Sequence, residues 1–182
     1  MTKEFERASA KVAEAISRSK TEEDPVHSLK TRDWLLRLKP DADETLQLAA
    51  LGHDIERAMP DRLRRDNFID YDSFKSAHAK RAGEIMRQII VESGYNEIEA
   101  ARIARIIEKA ELESNDPESN LLMDADSISF FDYNIDFYLK RKGEEETKKK
   151  AEFMFDRASE KAKKLIQGIA IKKPIISALL TF

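Results

Sequence analysis

Apolar residues recur at three- and four-residue spacing along most of this chain, which is the pattern of amphipathic α-helices. The first predicted helix covers residues 3–19, where one face carries Phe5, Ala8, Val12, Ala15 and Ile16. Cap residues, prolines and glycines divide the rest of the pattern into further segments. They predict helices over about 25–39, 44–57, 72–92 and 96–112, a sixth from residue 117 through Phe131, and a last long helix that ends at Pro174.

The third predicted helix should lie at the centre of the fold, because residues 46–51 are apolar on most sides of a helix. Asp43 or a neighbouring residue is its expected N-cap, and Asp24, followed by Pro25, is that of the second helix. The charged stretch 58–71 lacks helical spacing and is expected to form a loop or a short helical turn over the functional site.

The composition favours one all-α domain, 1–182, built as a bundle of about six to eight helices. The chain has only 5 Gly and 5 Pro, and its net charge of −3 gives it no general polyanion-binding character. It contains no Cys, which excludes disulfides, thiolate metal sites and Cys nucleophiles and permits a cytoplasmic location. No apolar run approaches the ~20 residues of a membrane span, and the charged N-terminus is unlike a secretory signal.

Candidate chemistry begins at His53-Asp54, directly after the apolar run 46–51. Burying an imidazole and a carboxylate is costly unless something compensates them, and a metal ion compensates both. Two further histidines, His27 and His78, lie on predicted helices, and Asp124 follows another apolar triplet. Each of these residues alone is more often a hydrogen-bonded helix residue than a ligand, so the joint pattern carries the argument. Such nitrogen and oxygen ligands suit a divalent transition metal.

That pattern, H…HD…D, resembles the HD-domain superfamily of metal-dependent phosphohydrolases. The matching stretches are DPVHSLKTRDWL, LAALGHDIERA and NLLMDADSISFFD, and the resemblance covers about residues 20–140, leaving 144–182 as a C-terminal helical extension. The resemblance implies an HD-like helical core that holds one divalent ion (Mn, Co, Ni, Fe, Zn or Mg), with the ligands His27, His53, Asp54 and Asp124. Asp126 is not expected among the ligands, because it lies two residues from Asp124 and residues two apart lie on nearly opposite faces of a helix.

An open site of this kind implies hydrolysis by metal-bound hydroxide. Three residues are assigned to catalysis: Asp54 could accept a proton, Glu56 lies one turn from His53, and His78 could contact phosphate or protonate a leaving group. For His78 a purely structural role stays open. Lys30, Arg57 and Arg81 each lie one turn from a site residue and are predicted to bind the substrate phosphate, with solvated surface charges as the alternative.

The expected function is therefore hydrolysis of a phosphate ester or anhydride of a small, nucleotide-like molecule. A phosphodiesterase acting on a cyclic or linear diester, and a non-catalytic regulatory or structural module that holds a metal, remain as alternatives.

Nucleic-acid binding by the basic stretch 57–65 is a weak alternative, because Asp61 and Asp66 offset its charges. Aromatic residues such as Tyr138 could stack on a nucleobase, although a core role is favoured. The apolar tail 175–182 leaves homo-oligomerisation open.

Overall fold

The computed structural model describes residues 1–111 and 115–180, and throughout these residues the regular structure is helical, with no strand. The all-α fold class is thereby confirmed. The helices are α1 (Lys3–Ile16), α2 (Asp24–Leu38), α3 (Glu44–Gly52), α4 (Tyr71–Glu92), α5 (Glu97–Ala110), α6 (Pro117–Ser129), α7 (Ile135–Lys142), α8 (Glu144–Asp156), α9 (Glu160–Ala170) and α10 (Pro174–Leu179). The ends of the predicted fifth helix (residue 112) and of the apolar tail (residues 181–182) lie outside the described residues.

Side-chain caps begin five of the ten helices that the structure describes, and one of the two caps that the sequence predicts is among them. The Asp43 side chain accepts a hydrogen bond from the Leu46 N–H at the start of α3, as expected. Asn96 forms a capping box with Glu99 at the start of α5. The prediction that Asp24 caps α2 is wrong, because α2 begins at Asp24 and Glu23 occupies the N-cap position without a side-chain cap hydrogen bond.

Helix α3 lies in the middle of the bundle, as its apolar run predicts. Leu46, Leu48, Ala49 and Ala50 are all buried, and the helix packs against α1, α2, α5 and α6. Around it α4 pairs with α5, and α2 pairs with α6. Buried side chains from all ten helices, including Ile135 at the start of α7, join one hydrophobic cluster, which holds the ends of α2, α3 and α6 in fixed positions.

The predicted third helix stops earlier than expected, because α3 ends at Gly52 and a 3₁₀ helix, Ile55–Ala58, follows. Asp54 lies between them with φ −103° and ψ 13°, in the sparsely populated bridge region. Gly52 packs directly on α4, and a Cβ added there would lie 2.1 Å from the Met86 sulfur. The end of α3 therefore packs closely on α4, and the backbone departs from helical geometry two residues later, at Asp54.

Helices α6 and α7 form one continuous helical segment, interrupted by a π-helical turn at Phe130–Asn134. Such turns insert an extra residue, rotate the following helix about its axis, and are frequent at functional sites. Here the turn brings two of its own residues, Phe130 and Asn134, to the wall of a cavity that also borders His27, Asp54 and Asp126.

The prediction of a single long C-terminal helix is wrong. The chain breaks at residues 157–159, between α8 and α9, and Ser159 caps α9 by accepting a hydrogen bond from Ala162 N–H. The Asp124 carboxylate on α6 fixes this break, since it accepts hydrogen bonds from both the backbone N–H and the hydroxyl of Ser159. The apolar spacing continues through the break and therefore conceals it.

Among the residues that the structure describes, none of the helices has the length and apolar character needed to cross a membrane.

Substituting Gly52→Ala should lower the free energy of unfolding by about 1–3 kcal/mol, because the added methyl group overlaps Met86 in a closely packed core. The matched control is Gly168→Ala on the exposed face of α9, where a Cβ would meet no atom within 4 Å. That change should stabilise the protein by up to about 1 kcal/mol. Urea unfolding of the two variants measures both effects, and equal stabilities would contradict the close packing at Gly52.

Candidate metal centre

Three side chains from separate parts of the fold converge at one point: His27 on α2, His53 just after α3, and Asp126 on α6. Asp126 Oδ1 lies 3.0 Å from His27 Nε2 and 3.5 Å from His53 Nε2. One ligand atom from each residue lies within 4.8 Å of the other two, so that the three could hold a metal ion. His27 is only 3% exposed and the Asp126 side chain 13%, which keeps bulk water largely away from the group.

The second nitrogen of each ring is held by a protein oxygen, which orients both imidazoles. His53 Nδ1 lies 2.9 Å from the Ala50 carbonyl oxygen, which can only accept, so Nδ1 carries a proton. His27 Nδ1 lies 2.9 Å from the Ser129 hydroxyl. The buried Nε2 atom of His53 has no hydrogen-bond partner. Because Nδ1 donates to a backbone carbonyl, Nε2 is the atom of His53 that could ligate a metal, and metal-binding histidines are commonly oriented in this way.

The charges around this group favour a cation. Burial by itself lowers the pKa of His53, but the carboxylates of Asp54 and Asp126 outweigh burial and raise it to about 9. Burial raises the pKa of Asp126, but the positive charge of Arg157 and the contacts with His27 and His53 lower it well below its usual range. The centre thus holds ionised carboxylates against imidazoles, the arrangement that a divalent ion compensates.

Asp54, the predicted fourth ligand, lies beside the group. Its Oδ2 is 3.8 Å from His27 Nε2 and 3.7 Å from His53 Nε2. The same oxygen accepts a hydrogen bond from Arg57 Nη1 at 2.5 Å. Burial raises the pKa of Asp54, whereas the charges of Arg57 and His53 lower it well below its usual range. An ionised Asp54 therefore borders the three-residue group, and its ligation of a metal stays a prediction.

The structure places the other predicted ligand, Asp124, elsewhere: its two oxygens are engaged by Ser159 at the start of α9. Asp126, which the sequence analysis set aside, occupies the expected position instead. The two aspartates do lie on different faces of α6, as expected, but the packing of α6 against α2 turns the Asp126 face towards His27. One signal in the sequence favours Asp126. Ser129 lies three residues on, on the same face of α6 as Asp126, and it contacts His27.

The predicted catalytic residues Glu56 and His78 form a chain with Asp54. His78 Nδ1 lies 2.8 Å from Glu56 Oε2, and its Nε2 lies 3.1 Å from Asp54 Oδ1. Burial lowers the pKa of His78, but hydrogen bonds to Asp54 and Glu56 outweigh it and raise the pKa to about 9. Glu56 also accepts a hydrogen bond from the Leu63 N–H and is almost fully buried. It thus orients His78 and the following loop.

A cavity of about 240 Å³ opens beside these residues. Arg57 lines it, and its contact with a substrate phosphate stays a prediction. Lys30 and Arg81 are not among the lining residues. Lys30 pairs with Asp132, and Arg81 pairs with Asp61 and Glu56.

Three lining cations were missed by the sequence analysis: Lys75, Arg141 and Lys150. They lie on α4, α7 and α8, and no sequence spacing connects them to the histidines. Arg157, in the break between α8 and α9, was missed as well. It contacts Asp126 and, at 3.6 Å, Glu111. The C-terminal extension therefore contributes directly to the site.

Asp126→Asn should reduce the affinity for divalent metal by about 100-fold or more, because loss of even an outer-shell partner typically reduces it 10- to 100-fold. Asp124→Asn is the matched control on the same helix. It should retain the metal while losing about 1–3 kcal/mol of stability through the weakened contact with Ser159. Isothermal titration with Mn²⁺ or Zn²⁺, together with thermal unfolding, separates the two variants. Loss of metal from Asp124→Asn alone would restore the original assignment.

Comparison with known proteins identifies a family and no function. A search of curated proteins and a search of solved structures each found no match. The family model described as "Domain of unknown function (DUF4202)" matches residues 3–178, nearly the whole chain, with the candidate metal centre inside the match. By this match the chain belongs to the DUF4202 family.

Proposed function

We propose that this DUF4202 chain is a metal-dependent phosphohydrolase that cleaves a phosphate ester or anhydride of a small, nucleotide-like molecule. One observation carries the proposal: the His27, His53 and Asp126 group borders a cavity whose wall also presents four basic side chains. The resemblance of the HD motif to metal-dependent phosphohydrolases supports the same reaction class.

The charge of the cavity suits an anionic substrate. Four carboxylates line it (Glu23, Asp54, Glu111 and Asp126), and four basic residues balance them (Arg57, Lys75, Arg141 and Lys150). A divalent ion would add two positive charges to this balanced wall. The loaded cavity would therefore attract a phosphate group, and less readily a neutral or cationic molecule.

Two lysines are placed to contact an anion. Lys75 Nζ lies 4.5 Å and Lys150 Nζ 5.1 Å from the centre of the Phe153 ring. Lys75 also lies 3.8 Å from Glu111, whereas Lys150 has no ion pair within the described part of the chain. Burial lowers the pKa of both lysines, since their charges are poorly solvated. A phosphate would compensate these charges.

When bound, a divalent ion would supply a Lewis acid for the phosphoryl oxygen and lower the pKa of a water molecule. The residues of the chain would do the rest. Arg57, held by Asp54, and the two lysines would neutralise charge on the phosphoryl oxygens. His78 lines the cavity and is held in position by Glu56. In its protonated form it could donate a proton to a leaving-group oxygen.

The proposal is tested by stripping the protein of metal and reloading it separately with Mn, Co, Ni, Fe, Zn or Mg. Each form is assayed on p-nitrophenyl phosphate, bis-p-nitrophenyl phosphate and a set of nucleotides. We expect phosphomonoester or anhydride hydrolysis that depends on the ion and is lost on chelation. Hydrolysis of the diester alone would instead indicate a phosphodiesterase, and bound metal without any turnover would indicate the non-catalytic module.

Lys150→Met should lower kcat/KM by about tenfold or more, because it removes one charged contact to the phosphate while preserving the side-chain length. Lys148→Met is the matched control, since Lys148 lies on the same helix and is exposed. Steady-state kinetics of the two variants on the best substrate measure the difference. An equal effect of both substitutions would place Lys150 outside the substrate site.

A further inference from the structure

A second group of cavity residues has unused hydrogen-bonding capacity. Glu23 and Asn134 both line the cavity, and they are only 1% and 7% exposed. Nevertheless Glu23 Oε2 and Asn134 Oδ1 have no hydrogen-bond partner. Leaving a buried acceptor unsatisfied typically costs about 1–3 kcal/mol, and more for a charged one. Two such acceptors on one cavity wall indicate that a ligand supplies the missing donors.

Local structure fixes both acceptors in place. Glu23 precedes α2, and its other oxygen, Oε1, lies 2.7 Å from Arg141 Nη2. Asn134 is the last residue of the π-helical turn. The chain thus uses an ion pair at one position and a helical irregularity at the other to hold two acceptors at the cavity wall.

The charge of the group indicates a neutral donor. Arg141 already compensates the carboxylate of Glu23, so the pair has no net charge that calls for a cationic ligand. Two aromatic rings, Phe130 and Tyr138, line the same cavity with their centres 5.9 Å apart. A carboxylate and an amide oxygen beside aromatic rings suit the hydroxyl groups of a sugar, whose ring presents both polar and apolar edges.

These residues lie within reach of the metal group. Arg57 connects the candidate metal group with the region of Glu23. Its Nη1 contacts Asp54 Oδ2 at 2.5 Å, and its Nη2 lies 3.5 Å from Asp24 Oδ1. Asp24 directly follows Glu23 in sequence. A single small molecule in a cavity of about 240 Å³ would therefore contact both ends.

We propose that Glu23 and Asn134 accept hydrogen bonds from hydroxyl groups on the organic part of the substrate. The substrate class is then a sugar phosphate, either free or as part of a ribonucleotide, in preference to a deoxy compound. That the substrate carries a phosphate rests on the proposed function, whereas that it carries hydroxyl groups rests on Glu23 and Asn134 alone.

Binding of non-hydrolysable ligands tests the proposal without requiring turnover. The probes are the methylenephosphonate analogue of adenosine 5′-monophosphate, its 2′,3′-dideoxy counterpart, and the matching analogues of ribose 5-phosphate and its dideoxy form. Isothermal titration of the metal-loaded protein should show that the hydroxyl-bearing member of at least one pair binds about tenfold tighter. Preference in both pairs indicates a sugar phosphate, and preference in the nucleotide pair alone indicates a ribonucleotide. Equal affinities within both pairs would overturn the proposal.

Glu23→Gln tests the role of the carboxylate. Glutamine keeps one oxygen for Arg141 but replaces Oε2 by an NH₂ donor, so the tenfold preference should fall below about twofold. Glu22→Gln, at the exposed neighbouring position, should retain the full preference. Leucine has nearly the same shape as asparagine but lacks the acceptor oxygen. Asn134→Leu should therefore also reduce the preference for hydroxyl-bearing probes, and it provides an independent test if Glu23→Gln fails to fold. Full preference in both folded variants would exclude these residues.

Failure of this proposal is distinguishable from failure of the proposed function. A protein that hydrolyses p-nitrophenyl phosphate but binds the hydroxyl-bearing and dideoxy probes equally is a phosphohydrolase without the hydroxyl subsite. A protein that prefers the hydroxyl-bearing probes but hydrolyses nothing has the subsite without the catalytic activity.

Discussion

The carboxylate of Asp126 makes the interaction on which the rest of the site depends. One oxygen faces the imidazoles of His27 and His53, and the other accepts a hydrogen bond from Arg157. Groups of this kind are costly to bury unless each is compensated in good geometry. Because His27, His53 and Arg157 belong to different helices or junctions, the packing of the bundle must be accurate where they meet. The early end of α3 and the break between α8 and α9 are features that place these groups.

The two aspartates of α6 divide two tasks between them. Asp126 belongs to the group that could hold a metal ion, whereas Asp124 holds Ser159 and so fixes the start of α9. The break that Asp124 fixes contains Arg157, which returns to contact Asp126. Helix α6 thus presents Asp126 on one face and Asp124 on another. Asp124 fixes the break that contains Arg157, and Arg157 is the ion-pair partner of Asp126. This arrangement ties the C-terminal helices to the chemistry of the site.

The cavity has two chemically different ends. In the proposed assignment, cationic side chains near the candidate metal group would bind a phosphate, and the unsatisfied acceptors of Glu23 and Asn134 would bind hydroxyl groups. Arg57 lies between them and contacts carboxylates on both sides. A phosphorylated sugar has these two kinds of group within one small molecule. The proposed reaction and the proposed substrate class therefore follow from separate features of the same cavity.

The all-helical fold, the central place of α3 and the place of His27 and His53 in a buried group that could hold a metal could be predicted from the sequence. Each leaves a local signal: helical spacing, an apolar run, or polar residues at the end of such a run. The choice between Asp124 and Asp126 depended on which face of α6 packs against α2, and the break before α9 was hidden by continuous apolar spacing. Lys75, Arg141, Lys150 and Glu23 reach the cavity only because distant helices pack together. Local spacing determines which segments are helical, whereas the neighbours of a buried charge are determined by the packing of those helices.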